Sequence, residues 1–405
     1  MPKYTFKAQL VATGSEIDGV QEAPDKFELA KQMKAEGKLL LTATEISASG
    51  WNMDRINAAL SKVQLKDKIL FAKNLATMIQ AGLPLSRAMQ IFIKQTKNPK
   101  MKSVLSDVLD EVNKGTPLSD ALERFPDVFP QVFVSMVRAG EESGGLVDAL
   151  NVVGSQMEKT YYLKKRVKGA MMYPAVIFCV MIGIGALMMV YVVPGLAGTF
   201  KEMNVELPPM TRAIIGISDF LQNQWFISII LVGFAIGGFI MFKRTKVGMK
   251  TIDWSVIHAP IFGELVKQYN SALATRTLSS LIAAGVDIVH AIEITTDVLG
   301  NVYYKKTLEQ AKVDVQKGIP LSQTFVSNPQ IYPVMVGDMM EVGEETGKLS
   351  DMLFKIATFY EEEVDAATGD LSKLLEPILM VMIAASVGVF AYAMITPMYS
   401  LMDSI

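Results

Sequence analysis

Long apolar stretches alternate with polar, helix-patterned segments along the chain. Three stretches carry no formal charge, and they cover residues 169–200, 220–242 and 377–402. A helix needs about 20 apolar residues to cross the hydrocarbon core of a bilayer. The pattern therefore predicts a polytopic membrane protein whose transmembrane helices lie at 171–195, 221–242 and 376–398.

The polar segments between these stretches have the period of amphipathic helices. LFAKNLATMIQAG, beginning at Leu70, places apolar residues on one stripe, and LATRTLSSLIAAG, beginning at Leu273, does the same. Prolines such as Pro84 and Pro117 stand where first-turn prolines stand, close after a glycine. We predict short antiparallel helices at about 66–81, 84–96, 98–113, 117–124 and 130–141, then a long helix from about 145 into the membrane. This is the pattern of a six-helix bundle.

The first 60 residues have a different pattern. YTFKAQLVATG (4–14) and KLLLTATEI (38–46) alternate apolar and polar residues, as strands do. EAPDKFELAKQMKAEG (22–37), between them, is an amphipathic helix closed by a glycine. We therefore expect a small β–α–β segment, connected to the helices by SASGWNMDRINAAL (47–60).

The chain contains an internal duplication with an offset of 203 residues. Between positions 114–150 and 317–353, 15 of 37 residues are identical without a gap. The same offset relates Pro174 to Pro377 and Pro194 to Pro397, so the repeat includes a membrane span. We call residues 68–201 the first repeat and residues 271–404 the second repeat. The middle span has no counterpart, and it returns the chain to the side where it started.

The predicted fold is mainly α, with two duplicated cytoplasmic six-helix bundles, three transmembrane helices and a small N-terminal α+β segment. The cytoplasmic regions are 1–60, 66–170 for the first bundle and 266–373 for the second bundle. A periplasmic connection is expected at 196–220.

Basic residues at the span ends predict the orientation. Lys164, Lys165, Arg166 and Lys168 precede the first span, and a second basic group, at 243–250, follows the middle span. Because cytoplasmic flanks carry the excess of Lys and Arg, both groups are expected in the cytoplasm. The N-terminus is then cytoplasmic, and the C-terminus lies on the opposite side of the membrane.

Composition excludes several classes of function. The net charge of −2 gives no basic field for nucleic acid, and one cysteine with two histidines leaves little for metal sites. No G-x-x-x-x-G-K-[ST] loop occurs, so we expect no ATP hydrolysis by this chain, no cofactor and no enzymatic activity. The spans lack ionisable side chains other than Cys179 and tyrosines, which argues against proton-coupled transport.

One acidic phrase occurs twice, as GEESGGL at 140–146 and GEETGKL at 343–349. Its glutamates are Glu141, Glu142, Glu344 and Glu345. The phrase is typical of a turn in which Gly140 or Gly144 ends one helix and Ser143 or Thr346 starts the next.

Three other interpretations of these glutamates remain open. They can form a docking surface for a partner. They can also bind a divalent cation with Asp148 and Asp351, although the spacing is not that of an EF-hand. A catalytic carboxylate pair is disfavoured because no nucleophile or sugar-binding cleft accompanies it. The acidic run at 361–365 favours a solvated helical face.

These features resemble one family, the inner-membrane platform proteins of type IV pilus and type II secretion machines (PilC/GspF). The resemblance is carried by LKKRVKGAMMYPAVI before the first span, LSKLLEPILMVM before the third, and the G-E-x-[ST]-G-x-L phrase in both repeats. It extends over about residues 3 to 400, and it implies a multi-pass protein of the bacterial inner membrane with a cytoplasmic N-terminus and a periplasmic C-terminus.

The resemblance implies an assembly platform that couples a cytoplasmic hexameric ATPase to insertion or extraction of pilin-like subunits. Its implied partners are that ATPase, pilin or pseudopilin subunits, other inner-membrane assembly proteins, membrane lipid and itself, as a dimer or small ring. Small residues of the spans, including Gly183, Gly185 and Gly388, are candidates for packing against the apolar helix of a pilin. The alternatives are a membrane-anchored scaffold and a transporter component.

Overall fold

The computed structural model describes residues 3–10, 16–46, 61–202, 207–260 and 262–402. These residues form two compact units, Met1–Val63 with Gln95–Leu105, and Gln64–Lys94 with Ser106–Ile405. The predicted linker at 47–60 lies outside the described residues.

The first unit contains a three-stranded antiparallel sheet, with strands β1 (Lys3–Leu10), β2 (Glu16–Glu22) and β3 (Lys38–Ile46) in the order β2-β1-β3. Helix α1 (Lys26–Ala35) begins after Asp25, whose carboxylate accepts the backbone N–H groups of two first-turn residues. The sheet and α1 share a small buried core that includes Phe6, Leu29 and Met33. The predicted β–α–β order missed β2, because its sequence EIDGVQE is too polar to stand out as a strand.

The first repeat forms six helices within two residues of the predicted bounds. They are α2 (Leu65–Gln80), α3 (Leu85–Gln95), α4 (Pro99–Asn113), α5 (Leu118–Glu123), α6 (Gln131–Glu142) and α7 (Leu146–Ala170). Phe71 of α2 packs in the core against Phe129 and against Phe133 of α6, with ring centroids 5.6 and 6.1 Å apart.

The first span continues from α7 with little interruption. It consists of α8 (Met172–Leu187), a π-helical turn at Met188–Val192 and α9 (Val193–Glu202). The chain then forms α10 (Pro209–Asn223), the middle span α11 (Trp225–Arg244) and α12 (Lys246–His258). The predicted start of the middle span at 221 falls inside α10, because Gln224 leaves the helical conformation between the two helices.

The second repeat has the same order of helices. They are α13 (Gly263–Ala283), α14 (Ile288–Val298), α15 (Val302–Gln316), α16 (Leu321–Val326), α17 (Val334–Glu345) and α18 (Leu349–Met402). Helix α18 carries the third span and starts 203 residues after α7. By length and composition, the helical stretches Leu146–Phe200, Trp225–Arg244 and Leu349–Pro397 can each cross a membrane.

Helix α10 supplies hydrogen-bond donors that two prolines remove from the spans. A helical proline has no N–H for the carbonyl four residues earlier, which is Val190 for Pro194 and Ala393 for Pro397. The Val190 carbonyl accepts from the side-chain amide of Gln222, and the Ala393 carbonyl accepts from the Thr211 hydroxyl. The connection therefore binds both repeats at equivalent positions.

Helix α10 also supplies a hydrogen-bond donor to the π-helical turn. The N–H of Val193 bonds to the carbonyl of Met188 rather than to that of Met189. The carbonyl of Met189 accepts from the hydroxyl of Ser218 instead. Around these bonds, α9, α10 and α18 share a small apolar cluster that contains Phe200, Ile214 and Met394.

Candidate functional site

The repeated acidic phrase forms the same turn in both repeats. The carboxylate of Glu141 accepts the N–H groups of Leu118 (2.6 Å) and Ser119 (2.8 Å), at the start of α5. The carboxylate of Glu344 accepts those of Leu321 (2.6 Å) and Ser322 (3.0 Å), at the start of α16. Since the first N–H groups of a helix have no internal partner, each glutamate satisfies two of them and places its charge at the positive end of the helix.

The glycines of the phrase have separate roles. Gly140 lies inside α6, where an added Cβ would come within 2.2 Å of Cβ of Ala149, so it permits α6 and α7 to approach closely. Gly144 ends the turn with a φ of +75°, a conformation that favours glycine. The prediction that Ser143 or Thr346 starts the next helix is wrong, because both residues cap the preceding helix and their hydroxyls donate back into it.

The other glutamates of the phrase, Glu142 and Glu345, are exposed. Among the described residues, no three His, Cys, Asp or Glu side chains are grouped so that they could hold a metal ion. Asp148 and Asp351 therefore do not join the glutamates in such a group, and the structure gives no support for the cation interpretation. A docking role for Glu142 and Glu345 stays a prediction.

An ion pair that the sequence interpretation overlooked occupies equivalent positions in the two repeats. Lys73 of α2 pairs with Glu158 of α7 in the first repeat. Arg276 of α13 pairs with Glu361 of α18 in the second, through contacts of 2.8 and 2.9 Å. Arg276 is almost completely buried, and its guanidinium lies 4.4 Å from the ring centre of Phe354. The 203-residue offset relates both members of the two pairs, which is the signal that could have revealed them.

The acidic run of α18 is only partly the solvated face that was predicted: Glu362 is exposed, whereas Glu361 and Asp365 form ion pairs. Glu361 binds Arg276 and lies 3.8 Å from Lys159, and Asp365 pairs with Arg166. Lys159 and Arg166 belong to α7, so these contacts join the long helices of the two repeats. They border a polar cavity of about 540 Å³ between α7 and α18.

The two bundles also contact each other through uncharged polar side chains. The amide of Gln156 in α7 donates to the hydroxyl of Thr277 in α13 at 3.0 Å and accepts from Ser280 at 3.2 Å. The Ser135 hydroxyl of α6 lies 3.4 Å from the ring of His290 in α14. His290 therefore lies at the contact between the repeats.

An apolar groove of about 490 Å³ separates the first and third spans. Residues at equivalent positions of the two repeats line it, including Val180 with Ile383 and Ile184 with Val387. Gly185 is part of the lining. Added Cβ atoms at Gly183, Gly185 and Gly388 would meet nothing within 4 Å, so these glycines do not serve close packing among the described residues.

Comparison with known proteins identifies the family to which this architecture belongs. The family model described as type II secretion system (T2SS), protein F matches twice, at residues 71–194 and 274–397. The two matches are offset by the 203 residues found in the sequence, which confirms the duplication.

The relatives come from two kinds of machine. The type IV pilus assembly protein PilC of Thermus thermophilus is 34% identical over 408 residues, covering 100% of this chain and 99% of that protein. PilC of Pseudomonas aeruginosa is 36% identical over 84% of this chain and 91% of that protein. Type II secretion system protein F of Xanthomonas campestris is 31% identical over the whole of both chains.

The fold and the repeated turn define a class of duplicated membrane proteins with one helical bundle before each of two equivalent spans. Within that class, the chain belongs to the type II secretion system protein F family, which includes the PilC proteins of type IV pili. The family and the three apolar helices together indicate an inner-membrane protein with a platform role in a pilus or secretion machine.

Proposed function

We propose that this chain is the assembly platform at which a cytoplasmic hexameric ATPase drives insertion or extraction of pilin-like subunits. The observation that carries the proposal is the pair of long helices, Leu146–Phe200 and Leu349–Met402, each of which joins a polar bundle to a membrane span. The sequence has no phosphate-binding loop of its own. Work done by a partner on the bundles therefore has a continuous helical route to the spans.

The proposed orientation places both bundles and the N-terminus in the cytoplasm and the C-terminus in the periplasm. The positive-inside rule supports this direction. Contacts between the bundles, such as Gln156 with Thr277, require both bundles on one side of the membrane. The middle span meets that requirement, because it returns the chain before the second repeat.

The apolar groove between the first and third spans is the proposed contact for the N-terminal helix of a pilin-like subunit. A groove with small residues lets a second helix approach closely within the membrane. Gly185 lies in the lining and Gly183 does not, although an added Cβ meets no neighbour at either position. These two glycines therefore form a matched pair for substitution.

Co-purification from the native cell tests the proposal. After gentle crosslinking and detergent extraction, wild-type protein should bring down a hexameric ATPase and pilin-like subunits, identified by mass spectrometry. Gly185→Leu should reduce recovery of the pilin-like subunits by about tenfold, because leucine fills the groove, and keep the ATPase.

The control variant Gly183→Leu should retain both partners. Equal loss of pilin-like subunits in both variants would contradict the groove as their contact. If neither partner accompanies wild-type protein, the platform function gives way to a membrane scaffold without a secretion role.

A further inference from the structure

An apolar cavity of about 510 Å³ lies where the first span leaves the first bundle. Its walls come from the junction of α7 with α8, from the end of α12 with the chain just after it, and from the start of α13. The lining residues include Val167, Met171, Val256, Phe262, Val266 and Tyr269. Of the described lining side chains, only those of Ser255 and Tyr269 carry a polar atom. The volume is that of a small-molecule pocket, and the lining favours a hydrocarbon ligand.

The cavity lies at the level where the chain enters the membrane. The charge-free stretch of the first span begins at Gly169, two residues before Met171, and continues to the residue before Lys201. Met171 lines the cavity and is nevertheless 42% exposed. The cavity is therefore next to the boundary between the headgroups and the acyl chains of the bilayer.

Helix α12, which forms one wall, has the character of an interfacial helix. On one side, the carboxylate of Asp253 accepts the N–H of Val302 at 2.8 Å, and this bond fixes α12 to α15. Along another side, Val247, Lys250 and Trp254 form one exposed stripe, in which Val247 is 69% and Trp254 52% exposed. Apolar and aromatic side chains beside lysine are typical of a helix that lies on a membrane surface. This wall is therefore at the level of the lipid as well.

Two lysines of α7 border the cavity. Lys164 precedes Val167 by three positions, and Lys168 precedes Met171 by three, so the lysines share a helix face with these lining residues. Both lysines are exposed, and neither forms an ion pair with an acidic side chain of the described chain. Arg166, on another face, pairs with Asp365 of α18. The apolar cavity thus has a basic rim whose charges are available to a ligand.

The second repeat enters the membrane without these charges. The residues 203 positions after Lys164 and Lys168 are Ala367 and Leu371, although α18 continues from its bundle into a span as the first repeat does. The course of the helix therefore does not require the lysines. Helix α12 lies outside both repeats. The basic rim and the wall from α12 come together at the junction between the first repeat and the connection.

We propose that this cavity holds an acyl chain of an anionic phospholipid whose phosphate contacts Lys164 and Lys168. Charge complementarity supports this occupant, because anionic headgroups attract basic residues next to a membrane span. The bilayer supplies both the headgroup and the chain at the level of the cavity. The bound lipid links the end of the first bundle, the connection and the start of the second bundle. This inference goes beyond the proposed function, since it holds whichever partner acts on the bundles.

Native mass spectrometry of the full chain in detergent tests the proposal, with dioleoyl phosphatidylglycerol and dioleoyl phosphatidylcholine as probes that differ in headgroup only. The protein should retain the anionic lipid at least about tenfold more than the zwitterionic lipid, because two lysines contribute. Lys164→Gln should lower retention of phosphatidylglycerol about fivefold.

The matched control is Lys165→Gln, which removes the same charge from the neighbouring exposed position. Lys165 lies on the opposite face of α7 from Val167 and Met171, so this variant should retain the lipid as wild type does. Equal loss in the two variants would show a general attraction to surface charge and would overturn the proposal. Equal retention of the two lipids by wild-type protein would also overturn it.

A further variant tests the cavity without changing any charge. Ala259→Phe places a ring among the lining residues and should lower retention of phosphatidylglycerol about fivefold. Unchanged retention would overturn the cavity as the site of the acyl chain. Glycerol phosphate, which has the headgroup chemistry and no chain, should not compete with the lipid at equal concentration. Competition by this soluble phosphate would overturn the assignment to a membrane lipid.

Discussion

At the scale of the residue, the repeated acidic turn shows how one carboxylate can be fully occupied while its neighbour remains exposed. Both oxygens of Glu141 accept backbone N–H groups of α5. Among the described residues, the carboxylate of Glu142 forms no such hydrogen bond to another helix. Sequence alone located the turn and its glycines, because a repeated phrase flanked by glycines predicts a helix end. It could not assign Glu141 to α5, since the two are 22 or 23 positions apart in sequence and only the fold brings them together.

Substitutions at the turn should show which of its two adjacent glutamates stabilises the fold. Glu141→Ala should lower the free energy of unfolding by about 1–2 kcal/mol, because two N–H groups of α5 lose their acceptor. Glu142→Ala should leave the melting temperature unchanged, as expected for an exposed side chain. Thermal unfolding in detergent measures both variants. If Glu142→Ala were as destabilising as Glu141→Ala, the assignment of the cap to Glu141 would be incorrect.

At the scale of the element, the two prolines of the spans show what the helical connection contributes: it supplies donors to the carbonyls that the prolines leave without an N–H partner. Helix α10 carries Thr211, Ser218 and Gln222 on positions that reach both spans. The sequence predicted the spans and the short helices well, since long apolar runs and helical periodicity are strong local signals. It did not predict α10 as a helix, because most of its residues fall in the stretch 196–220, which was assigned to a connection on account of its prolines and scattered charges.

Removing one donor should destabilise the ends of the spans that contact α10. Thr211→Val keeps the shape of the side chain and leaves the buried carbonyl of Ala393 without a partner, at a cost of about 1–3 kcal/mol. Thr199 is exposed, and its described hydroxyl hydrogen bond lies within its own helix, to the carbonyl of Gly195, so Thr199→Val is the control. The melting temperature in detergent should fall for Thr211→Val alone. An equal fall in the melting temperature of Thr199→Val would show that the hydrogen bond to Ala393 does not contribute specifically to stability.

At the scale of the whole molecule, the two repeats share a plan but differ in their buried polar groups. Burial raises the pKa of Tyr304 and Tyr332, and burial with nearby glutamates raises that of Tyr360 to about 12. The equivalent residues of the first repeat are Met101, Phe129 and Met157. The duplication was visible in sequence through identical residues, whereas this difference becomes meaningful only when burial is known.

Alkaline pH should therefore unfold the second repeat first. An unfolded tyrosine loses its proton near pH 10, while the folded protein holds these protons to higher pH. Their contribution to stability is present below about pH 10 and is lost as the pH rises towards the folded pKa values. Brief proteolysis at increasing pH, with cleavage sites mapped by mass spectrometry, should show cuts in the second repeat before the first. Tyr332→Phe should reduce the difference between the pH values at which the two repeats are first cut. Cuts that appear in the first repeat before the second would contradict the prediction.

The prolines also indicate the order of evolutionary events that produced the two repeats. Pro194 and Pro397 occupy the same place in both repeats, so the simplest account is that the proline was present before the duplication. Helix α10 lies between the repeats and outside both of them. A single-repeat ancestor would thus have carried the proline, and its unpaired carbonyl, without Thr211 or Gln222. Water at the membrane surface or a neighbouring molecule would have filled that role, until duplication placed a donor for both spans within one polypeptide.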